Sequence, residues 1–81
     1  MPVMNPRVKT VNALEDYRLS VVFYNNEKGV FDTKPYLNFP VFSVLKDVAF
    51  FKQVKASLGF VSWNGEVDFD PDTVYLESIK E

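Results

Sequence analysis

Cysteine and histidine are both missing from this chain of 81 residues. Without cysteine there is no disulfide, no thiol nucleophile and no thiolate metal ligand, which fits a reducing compartment. Without histidine the chain lacks the commonest general base and the imidazole metal ligand. Because the usual parts of a hydrolase are absent, we expect a protein that is not an enzyme, with no catalytic residue, no metal site and no cofactor.

Long apolar runs are also missing. No window approaches the roughly 20 apolar residues that a membrane helix needs, and residues 1–6 contain no apolar run of signal-peptide length. The sequence therefore predicts a cytoplasmic protein that neither crosses a membrane nor is secreted.

The chain is too short for a second independent core, so residues 1–81 are predicted to form a single domain. Eight Phe, four Tyr and one Trp supply the large apolar side chains that a small core requires. We expect residues 1–6 to be a loose lead-in and residues 77–81 to be a frayed tail.

The net charge of −2 is unevenly distributed along the chain. Residues 1–65 carry eight Lys or Arg against five Asp or Glu, whereas residues 66–81 carry one Lys against six Asp or Glu. This acidic segment either complements basic residues on a partner or keeps the domain soluble.

The first half of the chain has the pattern of antiparallel strands. Residues 7–14 and 19–24 show the two-residue alternation of half-buried strands, and residues 30–33 are predicted to form a third. Residues 25–29 combine asparagine and glycine, which suit a hairpin turn, so the second and third strands should pair antiparallel.

A short helix is predicted over residues 40–46, with Asn38 near its cap and Pro40 in its first turn. Three apolar positions of this helix are spaced to form one face that covers the sheet. They are Val41, Val44 and Leu45.

The next segment is predicted to contain a further helical turn, which Asp47 is expected to cap. Phe50 and Phe51 are adjacent, so either a helical turn buries both or one of them is exposed.

The second half of the chain predicts another hairpin. A half-buried strand that includes Val54, Ala56 and Leu58 should turn at Gly59, and residues 60–63 should return. Asn64-Gly65 is a strong signal for a tight turn into residues 66–69, and residues 71–76 should form a final helical turn. The predicted fold class is α+β, a small antiparallel sheet built from two or three hairpins.

Several short runs together resemble a family of small bacterial domains catalogued as domain of unknown function 2442. The resemblance covers about residues 8–76 and lies in five runs. They are Leu19-x-Val-x-Phe23, Phe31-Asp32-x-x-Pro35-Tyr36-Leu37, Leu45-x-Asp47-x-x-Phe50 with Val54, Trp63-Asn64-Gly65, and Asp68-x-Asp70-Pro71-Asp72-x-Val74-Tyr75.

The resemblance implies an α+β domain, sometimes fused to a helix-turn-helix module. It also implies genes that often lie beside one for a second small protein, in arrangements like those of toxin and antitoxin pairs. It supplies no catalytic residue.

Asp68, Asp70 and Asp72 have the alternate spacing of a calcium loop. The rest of that loop does not match, because Thr73 stands where glycine is required and Ile79 where a bidentate glutamate is required. The better interpretation is that Asp70 caps a helical turn whose first residue is Pro71.

These observations favour a protein-interaction module, in its specific version an antitoxin-like partner of a small protein encoded nearby. The candidate partner-binding residues are Trp63, Glu66, Asp68 and Phe51, although core packing is the stronger interpretation of Trp63. A homodimer through a sheet edge is a further expectation. The alternative function is a nucleic-acid-associated accessory domain, but the negative net charge disfavours nucleic acid, and Lys9, Lys52 and Lys55 are best interpreted as solvated.

Overall fold

The computed structural model describes residues 5–81, and its first part is a meander of three antiparallel strands. These are β1 (Val8–Ala13), β2 (Arg18–Phe23) and β3 (Lys28–Asp32). The strand pairing predicted around residues 25–29 is confirmed. The alternation in β2 places three side chains in the core. They are Leu19, Val21 and Phe23.

Helical segments follow. A 3-10 turn spans Lys34–Tyr36, a 3-10 helix spans Pro40–Lys46 and the short helix α1 spans Val48–Phe51. The predicted bounds of the helix over 40–46 are confirmed, but Phe39 precedes it without a side-chain cap, so the predicted role of Asn38 is wrong.

The cap predicted at Asp47 is confirmed. Its carboxylate accepts the backbone N–H groups of Ala49 and Phe50. The helical turn of the first alternative is confirmed, but α1 buries only Phe51 and leaves Phe50 half-buried.

The second sheet contains β4 (Lys55–Ser57), β5 (Phe60–Trp63) and β6 (Val67–Phe69). Asn64 and Gly65 both have positive φ, which confirms the predicted tight turn. The prediction that Leu58 belongs to the half-buried strand is wrong, because Leu58 lies in the β4–β5 turn at φ 54°.

Helix α2 (Pro71–Glu77) begins at Asp70, whose carboxylate accepts the N–H of Thr73 at 2.6 Å. The prediction of a frayed tail over residues 77–81 is wrong, because Glu77 ends α2 and β7 (Ile79–Lys80) pairs with β3. Glycine at position 29 favours this pairing, since a Cβ there would lie in tight contact with the Ile79 carbonyl oxygen, at 3.1 Å.

The α+β class is confirmed, with two antiparallel sheets in place of the single sheet expected. The first has the order β1-β2-β3-β7 and the second β4-β5-β6. Strand β4 lies beside β1, and the Val8 N–H donates to the Gly59 carbonyl at 3.0 Å. One buried core joins both sheets.

Of the lead-in predicted over residues 1–6, residues 1–4 lie outside the described part of the chain. The Asn5 side chain donates to Asp72 at 3.3 Å. Within residues 5–81, no helix has the length and apolar character needed to cross a membrane.

Candidate functional site

Two of the predicted partner-binding residues lie in the core. Trp63 is 0% exposed and Phe51 is 2% exposed. The Trp63 Nε1–H donates to the Phe51 backbone carbonyl at 2.8 Å, and their ring centroids are 5.9 Å apart. Neither side chain is at the surface, so core packing is the correct interpretation of Trp63.

The other two predicted residues are on the surface. Glu66 lies in the turn between β5 and β6, and Asp68 projects from β6 on the exposed side. The two carboxylates therefore lie on one hairpin, which also contains Trp63, but they are exposed whereas the Trp63 side chain is buried. Their binding of a partner stays a prediction.

Much of the acidic segment 66–81 is engaged within the fold. Asp70 caps α2, Asp72 accepts from Asn5, and both carboxylate oxygens of Glu77 accept from the Tyr36 hydroxyl, at 2.5 and 2.6 Å. The Glu77 carboxylate raises the pKa of Tyr36 to about 12, with a smaller contribution from desolvation. The capping interpretation of Asp70 is confirmed, and Glu66 and Asp68 remain as the segment's solvated carboxylates before α2.

An apolar strip on the 3-10 helix is the surface that sequence reasoning missed. The strip consists of Val41 and Val44 on the helix, which are 61% and 40% exposed, and of Phe39 just before the helix, which is 55% exposed. Residues three apart in a 3-10 helix lie on one side, so Val41 and Val44 stay together outside while Leu45 is buried. The prediction that Val41 and Val44 cover the sheet is therefore wrong.

The rest of this helix is fixed to the core from its inner side. Phe42 stacks on Phe69 with ring centroids 4.5 Å apart, and Leu45 is fully buried. The strip is thus an apolar surface on a firmly packed element. The clue in the sequence is that Phe39, Val41, Phe42, Val44 and Leu45 are too many apolar positions for one face of so short a helix.

A pocket of about 290 Å³ lies between the β1–β2 turn and α1. Most of its lining residues are apolar and three are charged. We call it the Phe51 pocket, after its most deeply buried lining residue, and refer to the charged residues as its rim. The apolar residues are Ala13, Leu14, Tyr17, Val48 and Phe51, and the charged residues are Glu15, Asp16 and Lys52.

The β1–β2 turn that forms one wall has an unusual backbone. Asp16 and Tyr17 both have positive φ, 62° and 58°. The Tyr17 hydroxyl donates to the Lys46 carbonyl at 2.6 Å, and Lys34 forms ion pairs with Asp16 at 3.0 Å and Asp32 at 3.2 Å. The hydrogen bond to Asp16 is the main reason that the pKa of Lys34 is raised.

The two carboxylates of the pocket therefore differ in their ion pairing. Lys34 neutralises the charge of Asp16, whereas Glu15 forms no ion pair with any residue of the described range 5–81. Lys52, which also lines the pocket, forms no ion pair within this range either, so Glu15 and Lys52 are the pocket charges that remain open to a group from outside.

Comparison with known proteins gives one match. A family model described as protein of unknown function (DUF2442) matches residues 8–80. No curated protein and no solved structure matches the chain significantly.

Proposed function

We propose that this chain, which belongs to the DUF2442 family over nearly its whole length, is a non-catalytic protein-interaction module. No activity is described for that family, so the proposal rests on the surface of the chain itself. The observation that supports the proposal is the apolar strip of Phe39, Val41 and Val44. These side chains leave a large apolar area in water on an element whose other side is packed.

Exposed apolar side chains that lie together on a rigid element are typical of protein-binding surfaces. Binding stabilises such a surface by removing apolar area from water, at roughly 25 cal/mol per Å². Because Phe42 and Leu45 already fix the helix, little ordering is required when a partner docks.

Charge adds a second, weaker contribution. Glu66 and Asp68 are solvated on the β5–β6 hairpin, and solvated charges at the rim of an interface mainly accelerate association. Asp70, Asp72 and Glu77 are already bonded within the fold, so we assign the electrostatic role to the two hairpin carboxylates alone.

In the specific version of the proposal, the partner is a small protein encoded nearby and this chain acts as its antitoxin-like counterpart. The support is the gene arrangement that the family resemblance implies, together with the apolar strip. Coexpression of the chain with the product of the adjacent gene, followed by copurification, tests this version.

The strip itself is tested with V41N/V44N against a control, L76N/I79N, which replaces two apolar side chains on α2 and β7 that are 70% and 78% exposed. We expect V41N/V44N to weaken the complex by at least about tenfold, while the control leaves affinity unchanged. Equal affinities for both variants would show that the strip is not the interface.

The hairpin carboxylates are tested with E66Q/D68N, which should slow association and leave the dissociation rate and thermal stability unchanged. If no neighbouring protein copurifies and the chain instead binds duplex DNA at moderate salt, the nucleic-acid-associated alternative replaces the proposal.

A further inference from the structure

Leu58 occupies a position that is unfavourable in two ways. It is 90% exposed, and its φ of 54° lies in the left-handed region. For a residue with a Cβ this conformation costs about 1–2 kcal/mol, and asparagine or glycine would tolerate it better. Within the described chain no contact of the leucine side chain offsets this cost, so its side chain points to a role outside the monomer.

The turn holds Leu58 beside a cation. The Arg7 Nη1–H donates to the Leu58 carbonyl at 3.0 Å, and the aliphatic stem of Arg7 lies over Gly59. A Cβ at position 59 would lie 2.7 Å from the Arg7 Cβ, so glycine is required for this packing. Arg7 forms no ion pair within residues 5–81. We call Arg7, Leu58 and Gly59 the Leu58 knob.

The Phe51 pocket has the complementary properties. It offers an apolar space of about 290 Å³, close to the lower end of the range for ligand pockets. Of the charged residues that line it, Glu15 and Lys52 have no ion-pair partner in the described chain, and Glu15 is the one that can pair with a cation. An apolar side chain accompanied by a guanidinium fits this pocket, and the Leu58 knob presents both groups.

The knob and the pocket lie at opposite ends of β1. Val8 at its start bonds to Gly59 of the knob, and Ala13 at its end lines the pocket. Five residue steps of about 3.3 Å separate these ends by roughly 17 Å. A two-fold axis across the middle of β1 exchanges its two ends, which is the exchange that a symmetric contact between knob and pocket requires.

We propose that two copies of this chain form a two-fold symmetric dimer in which Leu58 of each copy enters the Phe51 pocket of the other and Arg7 pairs with Glu15. The same patch is used on both subunits, as two-fold interfaces require. Strand β1, with six residues, is the edge strand of the first sheet, so this dimer is one form of the sheet-edge dimer expected from the sequence. The surface contains no residue of the apolar strip, so the dimer does not depend on the proposed function.

Sedimentation equilibrium of the purified chain from about 10 µM to about 1 mM tests the proposal. We expect the mass to rise from that of one chain to that of two. L58N should weaken the dimer by at least about tenfold. Because asparagine suits positive φ, L58N should also retain or raise the melting temperature, which separates loss of dimer from loss of fold. L76N is the matched control and should dimerise like the parent chain.

Charge reversal tests the pairing of Arg7 with Glu15. E15R should weaken the dimer, because it places a second guanidinium on the pocket rim of one copy, against Arg7 of the other, and R7E/E15R should restore much of the lost affinity. A parent chain that stays monomeric throughout the concentration range overturns the proposal. So does an L58N variant that dimerises as the parent does, or a mass that grows beyond two chains.

Discussion

The Tyr36 hydroxyl links the 3-10 turn after β3 to the end of α2 through the Glu77 carboxylate. This bond requires the protonated phenol, and it raises the pKa of Tyr36 from about 10 in the unfolded chain to about 12. A group whose pKa is raised on folding stabilises the fold fully below its unfolded pKa. That stabilisation is lost as the pH rises through the folded pKa, here between pH 10 and about 12.

We therefore expect the parent chain to be more stable than Y36F below pH 10, and the difference between them to disappear as the pH approaches 12. Urea unfolding of both proteins across this range measures the difference. Y24F, which removes a phenol that is 63% exposed, is the control for the loss of a tyrosine hydroxyl. A difference between the parent chain and Y36F that is constant with pH would contradict the assigned bond.

Residues whose role is local were predictable from sequence. Asp47 and Asp70 cap helices because the carboxylate and the N–H groups it accepts lie within three residues of each other. The position of Leu58 in a turn was not predictable, because its alternation with Val54 and Ala56 fits a strand. The turn at Leu58-Gly59 depends on Arg7, far away in sequence.

Among the elements, β7 is the one whose contribution is most easily isolated. Ile79 pairs with Val30, the Glu81 N–H donates to the Lys28 carbonyl at 2.9 Å, and the Lys80 ammonium lies 4.1 Å from the centre of the Tyr75 ring. Removal of residues 79–81 deletes all of these contacts. We expect this truncation to lower the free energy of unfolding by about 1–3 kcal/mol.

Chemical denaturation of the truncated chain measures this loss. I79T provides the control, because it keeps the backbone pairing and alters only an exposed side chain, so its effect should stay within about 0.5 kcal/mol. A truncated chain as stable as the parent would show that β7 does not stabilise the sheet.

There are physical reasons why neither β7 nor the 3-10 type of the helix over residues 40–46 could be predicted. A two-residue strand has no periodicity, and its pairing depends on the open backbone of Gly29. The apolar strip was missed for a related reason, since an α-helical spacing would turn Val41 inward, whereas the tighter 3-10 geometry keeps it outside.

At the scale of the whole molecule, one aromatic cluster joins the two sheets. Phe69 of β6 contacts Phe31 of β3 and Trp63 of β5, with centroid distances of 5.1 and 5.9 Å. W63F removes the hydrogen bond to the Phe51 carbonyl and leaves a void, which should cost about 2–4 kcal/mol.

Because both sheets share one core, we expect the loss of stability in W63F to appear equally in both sheets. Amide hydrogen exchange of residues in β2 and β5 measures it, and the free energy of opening should fall by the same amount in each strand. A loss confined to β5 would show that the sheets unfold separately.

The aromatic composition of the chain predicted a well-packed small core, and the structure bears this out. The position of the Phe51 pocket was beyond prediction, because it is formed by the β1–β2 turn and α1, which lie more than 30 residues apart in sequence.

Trp63 is the single tryptophan, and it lies where the two sheets meet. Its emission is therefore an intrinsic optical reporter of that junction, needing no added label. The indole is dry and hydrogen-bonded in the native state, so unfolding should shift the emission to longer wavelength as water reaches the ring. The apolar strip is exposed whereas the indole is buried, so binding at the strip can be titrated without disturbing this signal, and the same sample can report whether a variant that fails to bind is still folded. The Phe51 ring lies 5.9 Å from the indole, so the emission should also respond when the Phe51 pocket is filled.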